Sequence, residues 1–121
     1  MNHKVISMRP FIGAKDFNTS RSFYTALGFE EVVLDPKFSV FKMQSLAFYL
    51  QDAYVKDWID NTMIFVEVED ADAYYQRLST LNLPDRYEGA RLTPVKHYDW
   101  GKECFLHDPS GILWHFGQFN Q

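Results

Sequence analysis

The stretch Asp16-Phe17-Asn18-Thr19-Ser20-Arg21-Ser22-Phe23-Tyr24-Thr25-Ala26-Leu27-Gly28-Phe29 reads as one helix with both ends marked. Asp16 can accept a hydrogen bond from an unpaired amide of the first turn. Ser20, Phe23, Tyr24 and Leu27 recur at i, i+3, i+4 and i+7, which lines one helical face. Gly28 suits the left-handed conformation that ends a helix, and Phe29 returns the chain to the core. A shift of 54 positions lays this stretch on a second one, Asp70 to Leu83. Asp16 falls on Asp70, Leu27 on Leu81, Gly28 on Asn82 and Phe29 on Leu83; upstream, Phe11 falls on Phe65 and Ile12 on Val66. Asn is the other residue type that tolerates the left-handed region. In the second copy Ala71, Tyr74, Tyr75 and Leu78 form the apolar stripe.

β-prone runs surround each helix. Val5–Gly13 precedes the first, and Glu30–Leu34, Phe38–Met43 and Leu46–Gln51 follow it, broken by Asp35-Pro36-Lys37 and Gln44-Ser45. Thr62–Glu69 precedes the second, and Leu92–Val95, Lys102–His107 and Ile112–Phe119 follow, the last two joined by the turn Asp108-Pro109-Ser110-Gly111. The chain is therefore expected to be α+β: two βαβββ modules forming a curved, partly closed mixed sheet with the helices outside. The first module is expected at about 1–52, a linker at about 53–60 and the second module at about 61–121, within one domain. Strand alternation puts Met8, Pro10 and Ile12, and Ile64, Val66 and Val68, against the helices. The mixed sets Arg9, Phe11, Gly13 and Met63, Phe65, Glu67 are left to line a cavity. Trp58, in the linker, is expected to pack the crossover.

Composition narrows the function. The 121 residues are 46% hydrophobic and 23% charged, ordinary for a globular chain and unlike a disordered one. With 12 basic and 16 acidic residues the net charge is -4, against a nucleic-acid partner. The single cysteine forbids an intrachain disulfide, and no Cys/His spacing resembles a zinc motif. No apolar run approaches the roughly 18 residues of a membrane span, and Met1–Pro10 lacks the apolar core of a secretory signal. A soluble cytoplasmic protein with no membrane partner is expected. Aromatic residues (11 Phe, 7 Tyr, 3 Trp) make up 17% of the chain, enough to fill a core and line a site for a flat ligand.

The signals Asp16-x-x-x-Ser20-x-x-Phe23-Tyr24-x-x-Leu27-Gly28-Phe29 and Asp108-Pro109-Ser110-Gly111 resemble the vicinal-oxygen-chelate superfamily. That superfamily includes glyoxalase I, extradiol dioxygenases, fosfomycin-resistance enzymes and bleomycin resistance proteins. The resemblance implies four inward positions where catalytic members hold a divalent cation with His, Gln or Glu. Here those positions carry Arg9, Tyr49, Met63 and His115. A guanidinium repels a metal, a thioether is a soft and weak ligand, and a phenol is a poor one at neutral pH. With His115 alone left, no catalytic metal and no cofactor is expected.

Asp60-Asn61-Thr62-Met63, Trp100-Gly101-Lys102-Glu103 and His115-Phe116 are similar to the metal-free bleomycin resistance proteins. That likeness implies an acidic homodimer that sequesters a ligand in an aromatic-lined cavity, with Phe38 and Trp100 as stacking rings and no catalytic residue. The ligand-binding set is Phe38, Trp100, His115, Tyr49, Arg9, Met63 and Glu67. Arg9 is expected to pair with Glu67 or to hold an anionic ligand. The segment Val32–Lys37 carries one acid and one base where the resistance proteins have several acids and an extra ring. This weakens attraction to a polycationic drug but not to some other planar or amphipathic molecule. The alternative is a metal-dependent lyase, isomerase or dioxygenase of the same superfamily, built on His115 with Glu67 or Glu103. If His107 and Ile112 flank the last turn directly, Cys104 faces His115 across the hairpin and Glu103 faces Phe116. A nucleophile-and-base couple is open at Cys104 and His115, although no third group orients it.

Overall fold

The computed structural model describes residues 3–121. Met1 and Asn2, the start of the segment read for a leader, lie outside the described residues. The order is β1 (Phe11–Gly13), α1 (Phe17–Leu27), β2 (Glu30–Asp35), β3 (Phe38–Met43), β4 (Leu46–Gln51), α2 (Lys56–Asp60), β5 (Met63–Glu67), α3 (Ala71–Thr80), α4 (Leu83–Arg86), β6 (Arg91–Tyr98), β7 (Gly101–His107) and β8 (Leu113–Phe119). The strands make two four-stranded sheets, ordered β1-β4-β3-β2 and β5-β8-β7-β6. Each has one parallel pair, β1 with β4 and β5 with β8, and is otherwise antiparallel. The α+β architecture of two repeated modules is as expected, with the curved sheet left open as two separate sheets.

Both helix caps form as the repeat requires. Asp16 accepts from the Thr19 amide and Asp70 from the Ala73 amide, each at 3.0 Å. Gly28 has φ 121° and Asn82 φ 52°, the positive values that end each helix. Ser20, Phe23, Tyr24 and Leu27 are buried, and so are Phe29 and Leu83. The copies then diverge. Phe29 leads directly into β2, whereas Leu83 starts the short helix α4, with Pro84 in its first turn.

The strand expected from Val5 forms only over Phe11–Gly13. Upstream, the Pro10 carbonyl accepts from the Tyr49 amide at 2.9 Å, but no ladder continues beyond it. Met8, expected against the helices, is 94% exposed, because the chain leaves the β4 ladder at Pro10. Trp58 does not pack the crossover either: it is 74% exposed, and its neighbour Ile59 fills the space instead. The weak run Leu92–Val95 belongs to the longer edge strand β6, whose register shifts between Thr93 and Lys96. Pro94 lies in that shift, where the missing amide costs no ladder bond.

One core joins the modules on the helix-covered faces of both sheets. Ile12, Phe41, Phe48 and Leu50 of the first sheet meet Leu106, Trp114 and Phe116 of the second around Tyr24 and Leu78. The Trp114 ring lies 5.7 Å from Tyr24, 5.9 Å from Phe29 and 5.4 Å from Phe48. The opposite faces of the sheets carry no helix, and the candidate site residues sit there.

Candidate functional site

Strand alternation decides which rings reach the open faces. On the first sheet Phe11 pairs with Tyr49 and Phe38 with Gln51. Phe11, Phe38 and Tyr49 stack on one another, with centroids 4.8 to 5.8 Å apart. Arg9 joins them: its Nη1 donates to the Tyr49 hydroxyl at 3.3 Å, and its guanidinium lies over the Tyr49 ring. Arg9 Nε is buried without a protein partner. No ion pair joins Arg9 to Glu67 among the described residues, although both line one cavity of about 450 Å³ between the 6–10 segment, β4 and β5. Its walls include Phe48, Ile64 and Trp114.

On the second sheet Phe65 is central. It pairs with His115 across β5 and β8, and packs with Trp100 at 6.1 Å, Phe119 at 5.6 Å and His115 at 6.3 Å. Trp100 stacks nearly parallel on Tyr98 at 5.3 Å. Phe65 can lie down on the sheet because Gly117 has no side chain: a Cβ there would come 2.3 Å from Phe65 Cζ. Met63, on the same alternation, is 64% exposed.

His115 accompanies a carboxylate rather than the thiol. His107 pairs with Leu113, not Ile112, so the hairpin is one residue out from the direct-turn register. Cys104 therefore faces Phe116, and Glu103 faces Gly117. A shift of one residue changes which side chains share a face. Cys104 is buried on the helix side, where burial pushes its thiol up to about 11, while His115 stands on the open side. The couple of Cys104 and His115 does not form. Glu103, buried at 7% exposure, meets His115 instead, with Oε1 2.7 Å from Nδ1. His107, further along that face, is held below the usual imidazole value by burial and by the charge of Arg91.

The expected ligand set thus falls into two groups. Arg9, Phe38 and Tyr49 gather on the first sheet; Met63, Trp100 and His115 stand on the second, and Glu67 faces the junction cavity. No ring pair links the two groups among the described residues, so Phe38 and Trp100 do not meet within one protomer. Phe11, Phe65, Tyr98, Phe119 and Glu103 were not in that set. Alternation marks Phe11 and Phe65 as cavity-facing; the other three depend on the pairing of β6, β7 and β8.

The positions that the resemblance assigns to metal ligands carry Arg9, Tyr49, Met63 and His115. Arg9 already lies on Tyr49, Met63 offers only a thioether, and the Nδ1 edge of His115 is taken by Glu103. Among the described residues no group of three or more His, Cys, Asp or Glu converges.

The architecture is shared with solved proteins. A bleomycin-binding protein from bleomycin-producing Streptomyces verticillus, complexed with copper(II)-bleomycin, superposes with a TM-score of 0.81 and 26% identity over 98% of this chain and 100% of that one. Its fold is that of the vicinal-oxygen-chelate superfamily. A bleomycin resistance determinant encoded on transposon Tn5 superposes on this chain at a TM-score of 0.76 and 18% identity, over 95% and 98% of the two chains. A lactoylglutathione lyase from Agrobacterium tumefaciens does so at 0.70 and 17%, over 93% and 92%. No family model and no curated protein matches the sequence, so the likeness is one of structure. Among the described residues no helix is long and apolar enough to cross a membrane.

Proposed function

We propose that the protein is a metal-free binder that sequesters a planar or amphipathic small molecule against its aromatic sheet faces, as a homodimer in the cytoplasm. The observation that carries this reading is the pair of half-open ring clusters, Phe11/Phe38/Tyr49 and Phe65/Trp100/Phe119, each on a face that no helix covers. A flat ligand laid on either cluster gains about 0.5–1.5 kcal/mol per aromatic pair beyond its area burial. The donor set at the superfamily's metal positions supports binding over turnover. The similar Streptomyces verticillus protein is named as bleomycin-binding, which agrees with a flat ligand; the short charge complement of Val32–Lys37 turns the reading away from a polycation.

A second copy supplies what one protomer lacks. Set face to face, the first sheet of one protomer and the second sheet of its partner close a cleft with Phe38 on one wall and the partner's Trp100 on the other. Phe11 and Phe65, 59% and 43% exposed in the protomer, would then be covered.

Titration of tryptophan emission with acridine and quinolinium cations tests the binder. Saturable quenching that Trp100→Ala abolishes is expected; emission indifferent to every compound overturns it. Sedimentation equilibrium is expected to give a dimer. Elemental analysis of protein purified without chelator is expected to give substoichiometric Fe, Mn, Ni and Zn, and one full equivalent of any of them restores the enzyme reading.

A further inference from the structure

We infer that the pair of Glu103 and His115 gives the second sheet's aromatic face a fixed hydrogen-bond acceptor, which selects planar ligands carrying a donor hydrogen on the ring edge. The inference rests on the ligand-binding reading above and adds the ligand's chemistry to it. Glu103 on β7 faces Gly117, and His115 on β8 faces Phe105, so the two side chains are diagonal neighbours on one face. Oε1 of Glu103 and Nδ1 of His115 stand 2.7 Å apart.

A carboxylate can only accept, so the ring proton resides on Nδ1. In the neutral ring the lone pair is then on Nε2. That atom has no hydrogen-bond partner among the described residues and is not sealed off, and 21% of the His115 side-chain surface stays open. Phe105 packs against the ring edge at 5.1 Å and Phe65 against its face at 6.3 Å, which restrains rotation. An unrestrained histidine could present either a donor or an acceptor. This one presents an acceptor, beside the platform of Phe65 and Trp100 where a flat ring would lie. The neutral imidazole with its carboxylate carries one negative charge, so a donor on a cationic ring gains further.

Two cations of similar plane and equal charge test the inference by calorimetric titration at pH 8. One is 4-aminoquinolinium, whose edge bears N–H donors; the other is 1-methylquinolinium, which has none. The parent protein is expected to bind the first roughly five- to tenfold more tightly, the effect of one hydrogen bond. His115→Phe is expected to bring the two within about twofold of each other, whatever it does to the affinity they share. Glu103→Gln, which frees the tautomer, is expected to shrink the difference.

Equal affinities in the parent, or a preference that survives His115→Phe, overturn the inference and leave the binder reading standing. If neither cation binds the parent, both fall together. Imidazole nitrogen shifts of the parent give an answer that needs no variant: a protonated Nδ1 and a bare Nε2 are expected, and the opposite tautomer overturns the acceptor.

Discussion

Tyr24 donates its hydroxyl hydrogen to Asp108 Oδ2 at 2.6 Å, tying α1 of the first module to the β7–β8 turn of the second. The other oxygen, Asp108 Oδ1, accepts from the amides of Ser110, Gly111 and Ile112 at 2.8 to 2.9 Å. The Tyr24 oxygen in turn accepts from Trp114 Nε1 at 3.0 Å. Tyr24, Asp108, Ile112 and Trp114 are buried, so a partner lost among them leaves a polar group without water.

Tyr24→Phe is expected to lower stability by about 1–3 kcal/mol, the cost of an unsatisfied buried carboxylate oxygen and indole N–H. Asp108→Ala loses four accepted bonds and is expected to cost more. Urea unfolding measures both; a Tyr24→Phe midpoint equal to the parent's counts against a role for the hydroxyl in holding the modules together.

Glu31 carries a stability that depends on pH. Burial raises its carboxyl, but hydrogen bonds from Arg21 at 2.6 Å and Ser39 at 2.7 Å outweigh that and leave it below its ordinary value. A carboxyl lowered in the fold stabilises above its unfolded value, and loses that contribution as pH falls through the folded one. Glu31→Gln is expected to cost about 1 kcal/mol at pH 7, with the gap to the parent closing toward pH 3. A gap that stays constant from pH 7 to 3 would contradict the ion pair as its source.

Gly117→Ala is expected to leave the fold standing, since the atom its Cβ meets is the end of the Phe65 ring rather than backbone. Stability is expected to change by no more than about 1 kcal/mol as the ring swings aside. The platform is then lost, and affinity for a planar cation followed through Trp100 emission is expected to drop. Undiminished affinity would remove Phe65 from the site.

Cys104 is expected to resist modification. Its thiol is buried and pushed up to about 11, so little thiolate exists at pH 8. Ellman's reagent is expected to find no reactive thiol in the native protein and one after unfolding in urea. Rapid labelling of the native protein would reopen a chemical role for this residue.

The repeat was legible because it is written in local chemistry. Asp16 and Asp70 cap helices by bonding amides three residues on, and Gly28 and Asn82 answer a backbone angle; neither depends on a distant partner. Alternation likewise placed Phe11, Phe65 and Glu67 away from the helices, as the pleat imposes it wherever a strand forms. The segment before Phe11 alternates too, yet its ladder with β4 stops at Pro10, because pairing depends on how two segments approach and not on the pattern of one.

The site depended on what lies farther apart. Whether His115 meets a thiol or a carboxylate turned on a single residue of hairpin register, and the turn alone admitted either. His107 pairing with Leu113 sends Cys104 into the core and brings Glu103 to the imidazole. The separation of Phe38 from Trp100 likewise arises from two sheets packing through their helix-covered faces. Caps, periodicity and residue types thus determined the modules, since these follow from each residue's own chemistry. Register and sheet packing decided which side chains meet, because those depend on contacts between segments that local sequence does not specify.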